Sequence, residues 1–153
     1  MLLQYLLNTN VHQSNSLRLL IGDTMVNIAV LVKQVPDTNS KIQIAGDRVD
    51  LSSVKMDISP YDEFAVENAL QHKDSSGGTV TAITLGGPGA DKVLKGVKAL
   101  GVDNIVRLDY DGFMDSNGLQ SVLANEISSG GYDVVYCGKS AADSGAGSTG
   151  PGI

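Results

Sequence analysis

The chain has 153 residues, 42% hydrophobic and 18% charged, enough for one packed domain and short for two. A formal charge of −6 with no basic run excludes a nucleic-acid backbone as the main partner, because phosphate neutralisation needs a basic surface. The single cysteine, Cys137, excludes an internal disulfide, and no stretch approaches the roughly 20 apolar residues of a membrane-spanning helix.

Residues 1–24 lack the charged start and long apolar centre of a secretory signal, and Arg18 is their only arginine. They read as a flexible arm or a misassigned start ahead of a nucleotide-binding α/β domain over 25–153. "NIAVLVKQV" (27–35) is a near-continuous apolar run, as expected of a strand buried on both faces. "KIQIAGDRVDL" (41–51) alternates on either side of Ala45-Gly46-Asp47 and predicts a small β-hairpin. In "SPYDEFAVENALQHK", Ser59 stands as a cap and Pro60 at the first helical position. Asp62 and Glu63 bring negative charge to the positive end of the helix dipole.

"TVTAITLGG" (79–87) is a second buried strand closed by glycines. "DKVLKGVKALG" predicts an amphipathic helix with Val93, Leu94, Val97 and Leu100 on one stripe and Gly101 as its stop. "NIVRLDY" (104–110) is the third strand. "SNGLQSVLANEI" is a helix burying Leu119, Val122, Leu123 and Ile127, and "YDVVYCG" (132–138) is the fourth strand. With a helix in each crossover, the sheet should be parallel and three-layered. A doubly wound order, 3-2-1-4, sets the first and fourth strands side by side, and a ligand then binds beyond their carboxyl ends. The two most polar strand exits, "VKQVPD" and "CGKSAADSGAGSTG", both leave from that point.

The second of these loops carries glycines 138, 145 and 147 with Ser140, Ser144, Ser148 and Thr149 between them, and its backbone N–H groups suit an anion nest. The competing reading is a merely flexible end. The loop is not a Walker A sequence, since Lys139 precedes the glycines, and "GAGSTG" opens no recognisable helix. Lys33 and Lys139 sit at strand exits where each meets either an anion or water. Cys137 reads as a small buried residue and His72 as a helix-end histidine. Metal-ligand spacing, a nucleophile–base pair and a carboxylate pair are all missing from the sequence, so it offers no catalytic residues.

Four segments in order, "VLVKQVPDT" (30–38), "ISPYDEFAVENAL" (58–70), "KALGVDNIVRL" (98–108) and "VVYCGKSAADSGAGSTGP" (134–151), resemble the signatures of the electron transfer flavoprotein β subunit and the related nitrogen-fixation flavoprotein subunit. The resemblance covers 25–153. It implies a doubly wound, mostly parallel, adenine-nucleotide α-hydrolase-like (Rossmann-like) α/β fold with a small hairpin insertion. It implies an electron carrier without side-chain catalysis, cytoplasmic or, in a eukaryote, in the mitochondrial matrix. AMP, or a second FAD, would fill the crevice. An α subunit would hold the redox FAD, with dehydrogenases as electron donors. By position, the family's nucleotide contacts fall on Leu31, Ser59, Pro60, Tyr61, Asp62, Leu85, Gly138, Lys139, Ser140, Ala141, Ala142, Asp143, Ser144, Gly145, Ala146, Gly147, Ser148 and Thr149.

Ser59 departs from the family's asparagine, and Gly145-Ala146-Gly147 replaces a more polar run. A looser loop implies weaker AMP binding, by roughly 0.5–1 kcal/mol per added glycine. Family members are longer, so the chain reads as an amino-terminal part, truncated inside its last motif and leaving an open sheet edge. The alternatives are a stand-alone ATP/AMP-binding module resembling universal stress proteins, or an inactive truncated product. An adenylating enzyme would want its phosphate loop after the first strand, where "VKQVPDTN" has no glycine.

Overall fold

The computed structural model describes the backbone of residues 3–6 and all of residues 25–153. The rest of the expected arm over 1–24 lies outside the described residues. Among the described residues, nine strands and four α-helices follow in chain order: β1 (Leu3–Leu6), β2 (Val26–Leu31), β3 (Gln34–Pro36), β4 (Gln43–Ala45), β5 (Arg48–Asp50), β6 (Met56–Ile58), α1 (Pro60–Ser76), β7 (Gly78–Gly86), α2 (Asp91–Ala99), β8 (Asn104–Asp109), α3 (Ser116–Gly130), β9 (Val134–Cys137) and α4 (Thr149–Gly152).

The main sheet has the order β1-β9-β2-β7-β8. Pairs β2–β7, β2–β9 and β7–β8 are parallel, so the four core strands take the doubly wound order that the crossovers imply. Alternation along β2 splits the interior into two cores, since successive side chains of a strand face opposite ways. Ile28 and Val30 pack with Val66, Ala69, Leu94 and Val97 of α1 and α2. Ala29 and Leu31 pack with Leu123 and Ile127 of α3 on the other face. The expected β-hairpin is β4–β5, turned at Gly46 with φ +66°. Beside it stands a second antiparallel pair, β3–β6, absent from the sequence expectation.

Four expectations change. The first apolar run is one strand only as far as Leu31; there the chain leaves the sheet, and residues 34–36 pair with β6. Leu100 is 67% exposed, because α2 ends at Ala99 and the buried place beyond it goes to Val102. Val122 also faces outward, off the Leu119–Leu123–Ile127 row whose four-residue spacing follows one helix face. The edge of β9 opposite β2, expected to be open, is paired antiparallel by the backbone of β1, with Leu3 opposite Cys137 and Leu6 opposite Val134. Among the described residues no helix is long and apolar enough to cross a membrane.

Candidate functional site

At the switch point Leu31 stands opposite Cys137, and beyond them the chain diverges to either side. The gap is a cavity of about 280 Å³, at the small end of ligand-sized pockets, roughly 300–1,000 Å³. Leu31, Ile83 and Cys137 form its floor, with Leu85 beside them and Leu119 and Leu123 of α3 as an apolar wall. The opposite lining comes from the glycine-rich loop, with Lys139, Ser140, Ser144, Ser148 and Thr149. Thr84, 2% exposed, and Met114 complete it. An apolar slot facing a hydroxyl- and amide-bearing loop can hold a flat ring at one end and an anionic group at the other.

The head of α1 ties this crevice together. The Lys33 backbone N–H donates to Asp62 Oδ2 at 2.8 Å, and the Gly138 amide, beside the same carboxylate, favours its ionised form. Ser59 N–H donates to the Lys33 carbonyl at 3.0 Å. Asp62 is 7% exposed. Burial pushes its pKa up to about 6, against the pull of those two amides and of the Lys33 charge. Gly138 is glycine for a steric reason: a Cβ there would collide with Asp62 Oδ1 and lie 2.8 Å from the Tyr61 carbonyl carbon. Burial, then the Asp62 charge, pushes the Cys137 thiol up to about 11, so it is a neutral packing group.

Lys33 Nζ meets both oxygens of Asp143, at 2.9 and 2.7 Å, which clips the loop to the β2 exit. Half exposed, such a pair contributes about 1 kcal/mol at most. The Gly145 N–H closes onto the Ala141 carbonyl at 2.8 Å. Gln120 of α3 donates from Nε2 to the Ser148 carbonyl at 2.9 Å. Gly145 and Gly147 have φ of +63° and +61°, the left-handed region where glycine is the favoured residue. These two glycines therefore have a conformational role in the loop as well as an entropic cost.

The family description "Electron transfer flavoprotein domain" matches residues 48–153. The chain belongs to the electron transfer flavoprotein family. It is 34% identical over 129 residues to the electron transfer flavoprotein subunit beta of Bacillus subtilis, covering 82% of this chain and 50% of that one. It is 34% identical over 134 residues to the acryloyl-CoA reductase electron transfer subunit gamma of Anaerotignum propionicum, covering 84% and 50%. Protein FixA of Sinorhizobium fredii is 34% identical over 136 residues, covering 84% and 48%. The chain spans about half the length of the curated relatives it matches. The family resemblance read from the four motifs is thus confirmed.

Of the positions inferred from the electron transfer flavoprotein resemblance, Leu31, Asp62, Leu85, Gly138, Lys139, Ser140, Ala141, Ser144, Ala146, Gly147, Ser148 and Thr149 line the cavity. Ser59, Pro60, Tyr61, Ala142, Asp143 and Gly145 do not. Asp143 acts through Lys33, while Tyr61 and Pro60 face outward. The expected anion site at the head of α1 already holds the protein's own Asp62 carboxylate, pointed at the β2 and β9 exits. Ser59 occupies the N-cap, but its side chain makes no capping bond; the cap is backbone only, with Asp62 N–H donating to the Ser59 carbonyl at 2.9 Å. The loop does open a helix: α4 is a single turn beginning at Thr149. Sequence reasoning missed Gln120, Thr84 and the clamping role of Asp62; a buried polar threonine in a buried strand was the one signal available.

Ser59 Oγ is fully buried and has no hydrogen-bond partner. A buried hydroxyl without a partner costs roughly 1–3 kcal/mol. Ser59→Ala is expected to raise stability by about 1 kcal/mol in urea unfolding; a fall of that size would show that the hydroxyl is bonded after all. His72 is also structural: its Nδ1 lies 3.0 Å from Tyr136 Oη, edge-on to that ring.

Proposed function

We propose that this chain is the nucleotide-binding part of an electron transfer flavoprotein β-type subunit, holding AMP in the crevice between β2 and β9. In this reading it pairs with an α subunit that carries the redox FAD, and electrons pass through that complex from dehydrogenases. The carrying observation is the cavity itself: one apolar wall and one wall of hydroxyls, backbone amides and Lys139, at the switch point of a doubly wound sheet. Family membership supports the electron-transfer role, since two of the relatives named above are electron-transfer subunits.

The residues present fit AMP. Leu31, Ile83, Leu85 and Leu119 would receive the adenine, and the loop from Gly138 to Thr149 would receive the phosphate, with Lys139 as the cation on that wall. AMP supplies no redox chemistry; bound there, it would fasten the loop to the sheet. A second FAD would need the same adenine slot and room beyond it. The flavin's electrochemistry belongs to the cofactor, and the chain's own part is to bind and orient.

Calorimetric titration of the chain with AMP tests this. One site per chain is expected, and Lys139→Glu should weaken it roughly fivefold or more, the equivalent of about 1 kcal/mol. No heat of binding at millimolar AMP would sink the reading. Tight ATP binding with no affinity for a flavin-bearing partner would favour the universal-stress-like module instead.

A further inference from the structure

We propose that Asp62 is a positioning residue of the crevice: its ionised carboxylate latches the exits of β2 and β9 to the head of α1, and taking up a proton there loosens the glycine-rich loop. The consequence for ligand binding rests on the nucleotide reading above; the latch itself does not.

Three segments far apart in the chain meet at this one side chain. Lys33 lies 29 residues before Asp62 and donates its amide at 2.8 Å. Gly138, from the far side of the crevice, packs directly against Asp62 Oδ1, and its amide favours the ionised carboxylate. The latch is tight enough that no residue with a Cβ fits at position 138 without displacing Tyr61 backbone. An ionised carboxylate has acceptor sites on both oxygens, one for each amide. A proton on one oxygen turns that acceptor into a donor facing a donor, and one amide loses its partner. The Gly138 end is the start of the loop whose hydroxyls and amides line the cavity.

The groups that face Asp62 leave it as the one that changes near neutral pH. Lys33 and Asp143, from the β2 exit and the loop, form an ion pair whose charges cancel. The Cys137 thiol, from β9, stays neutral, pushed up to about 11. Burial places the Asp62 titration near pH 6. His72 lies ten residues further along α1, roughly 15 Å away at 1.5 Å per residue, and does not face Asp62.

The test uses the ligand-free chain and backbone amide shifts in ¹H–¹⁵N spectra between pH 4.5 and 7.5. The Lys33 and Gly138 amides are expected to move together with one midpoint near pH 6, and Asp62→Asn should abolish that step. Amides that stay flat, or that follow the whole sheet, overturn the latch. Should Asp62→Asn not fold, the wild-type titration alone decides. The second arm is AMP affinity at pH 5 and 7.5 for both proteins, in whose ratio the ligand's own titration cancels. Wild type should lose roughly tenfold more than Asp62→Asn on going to pH 5, because only about a tenth of its latches are then ionised. An unchanged ratio beside titrating amides overturns the link to binding. Failure of both proteins to bind AMP at either pH overturns the nucleotide reading, while the amide titration still decides the latch.

Discussion

Gly138→Ala should destabilise the protein by about 2–3 kcal/mol, the upper part of the range for forcing an extra carbon into a packed site. The added Cβ would sit 2.8 Å from the Tyr61 carbonyl carbon and 2.9 Å from its Cβ, and would collide with Asp62 Oδ1. The carboxylate can swing aside, but helix backbone cannot do so without shifting the head of α1. That head carries Ala65 and Val66, both essentially buried in the core between α1 and the sheet. The strain therefore reaches the core and the crevice together. Urea unfolding at pH 7 measures the first effect, and AMP titration of the folded variant measures the second. A stability change below about 0.5 kcal/mol, the ordinary scatter of surface substitutions, would mean that the β9 exit and α1 do not approach as closely as described.

The second large effect is in the dependence of stability on pH. Asp62 has a folded pKa of about 6 against an ordinary 3.8. Between those values the unfolded chain has lost the proton and the folded chain still holds it. The stability Asp62 contributes is therefore fully present below about pH 3.8 and is lost as pH rises through about 6. The gap corresponds to about 3 kcal/mol. Wild type should lose about that much stability relative to Asp62→Asn between pH 3.5 and 7, measured by chemical denaturation of both proteins. Parallel curves for the two would show that Asp62 is not the buried, titrating carboxylate described. Keeping a carboxylate ionised in this place costs stability at neutral pH. Its return is geometric: the charged form holds the Lys33 amide on one side and faces Gly138 on the other. Conformational order at the crevice is thus obtained against the stability of the fold, as at many functional sites.

Local patterns carried much of this architecture, and tertiary encounters carried the remainder. The four core strands could be read because apolar runs such as 27–31 and 134–137 are buried on both faces, and because each crossover contains a helix; their doubly wound order was an assumption, which the sheet meets. The start of α1 was legible from Ser59-Pro60, since proline at the first position is a local signal. Errors fell where a local rule met a neighbour it could not foresee. Leu100 fits the α2 stripe, but the helix stops one residue earlier and Val102 takes the buried place. Ser59 has the right residue type for a cap, yet its hydroxyl is buried without a partner. The turn α4 escaped because "TGPG" is the opposite of a helix-forming composition.

The site was legible as a place and not as a mechanism. Two polar strand exits and a switch point locate the crevice from sequence, and the cavity lies there. Asp62, by contrast, looks like an ordinary acidic residue in a first helical turn. Its task becomes visible only when residues 33, 62 and 138 stand together, and no spacing in the chain announces that. Gln120 is similar: a glutamine on an amphipathic helix has no signature until the Ser148 carbonyl lies 2.9 Å away.

The central claim is that the β2–β9 crevice is an adenine-nucleotide site. The most direct measurement is a map of backbone amide shifts during AMP titration of this chain. Saturable shifts confined to Leu31–Lys33, Leu85 and Gly138–Thr149 are the predicted result, with the α1–α2 face unmoved. Shifts centred elsewhere, or none at millimolar AMP, would contradict the account.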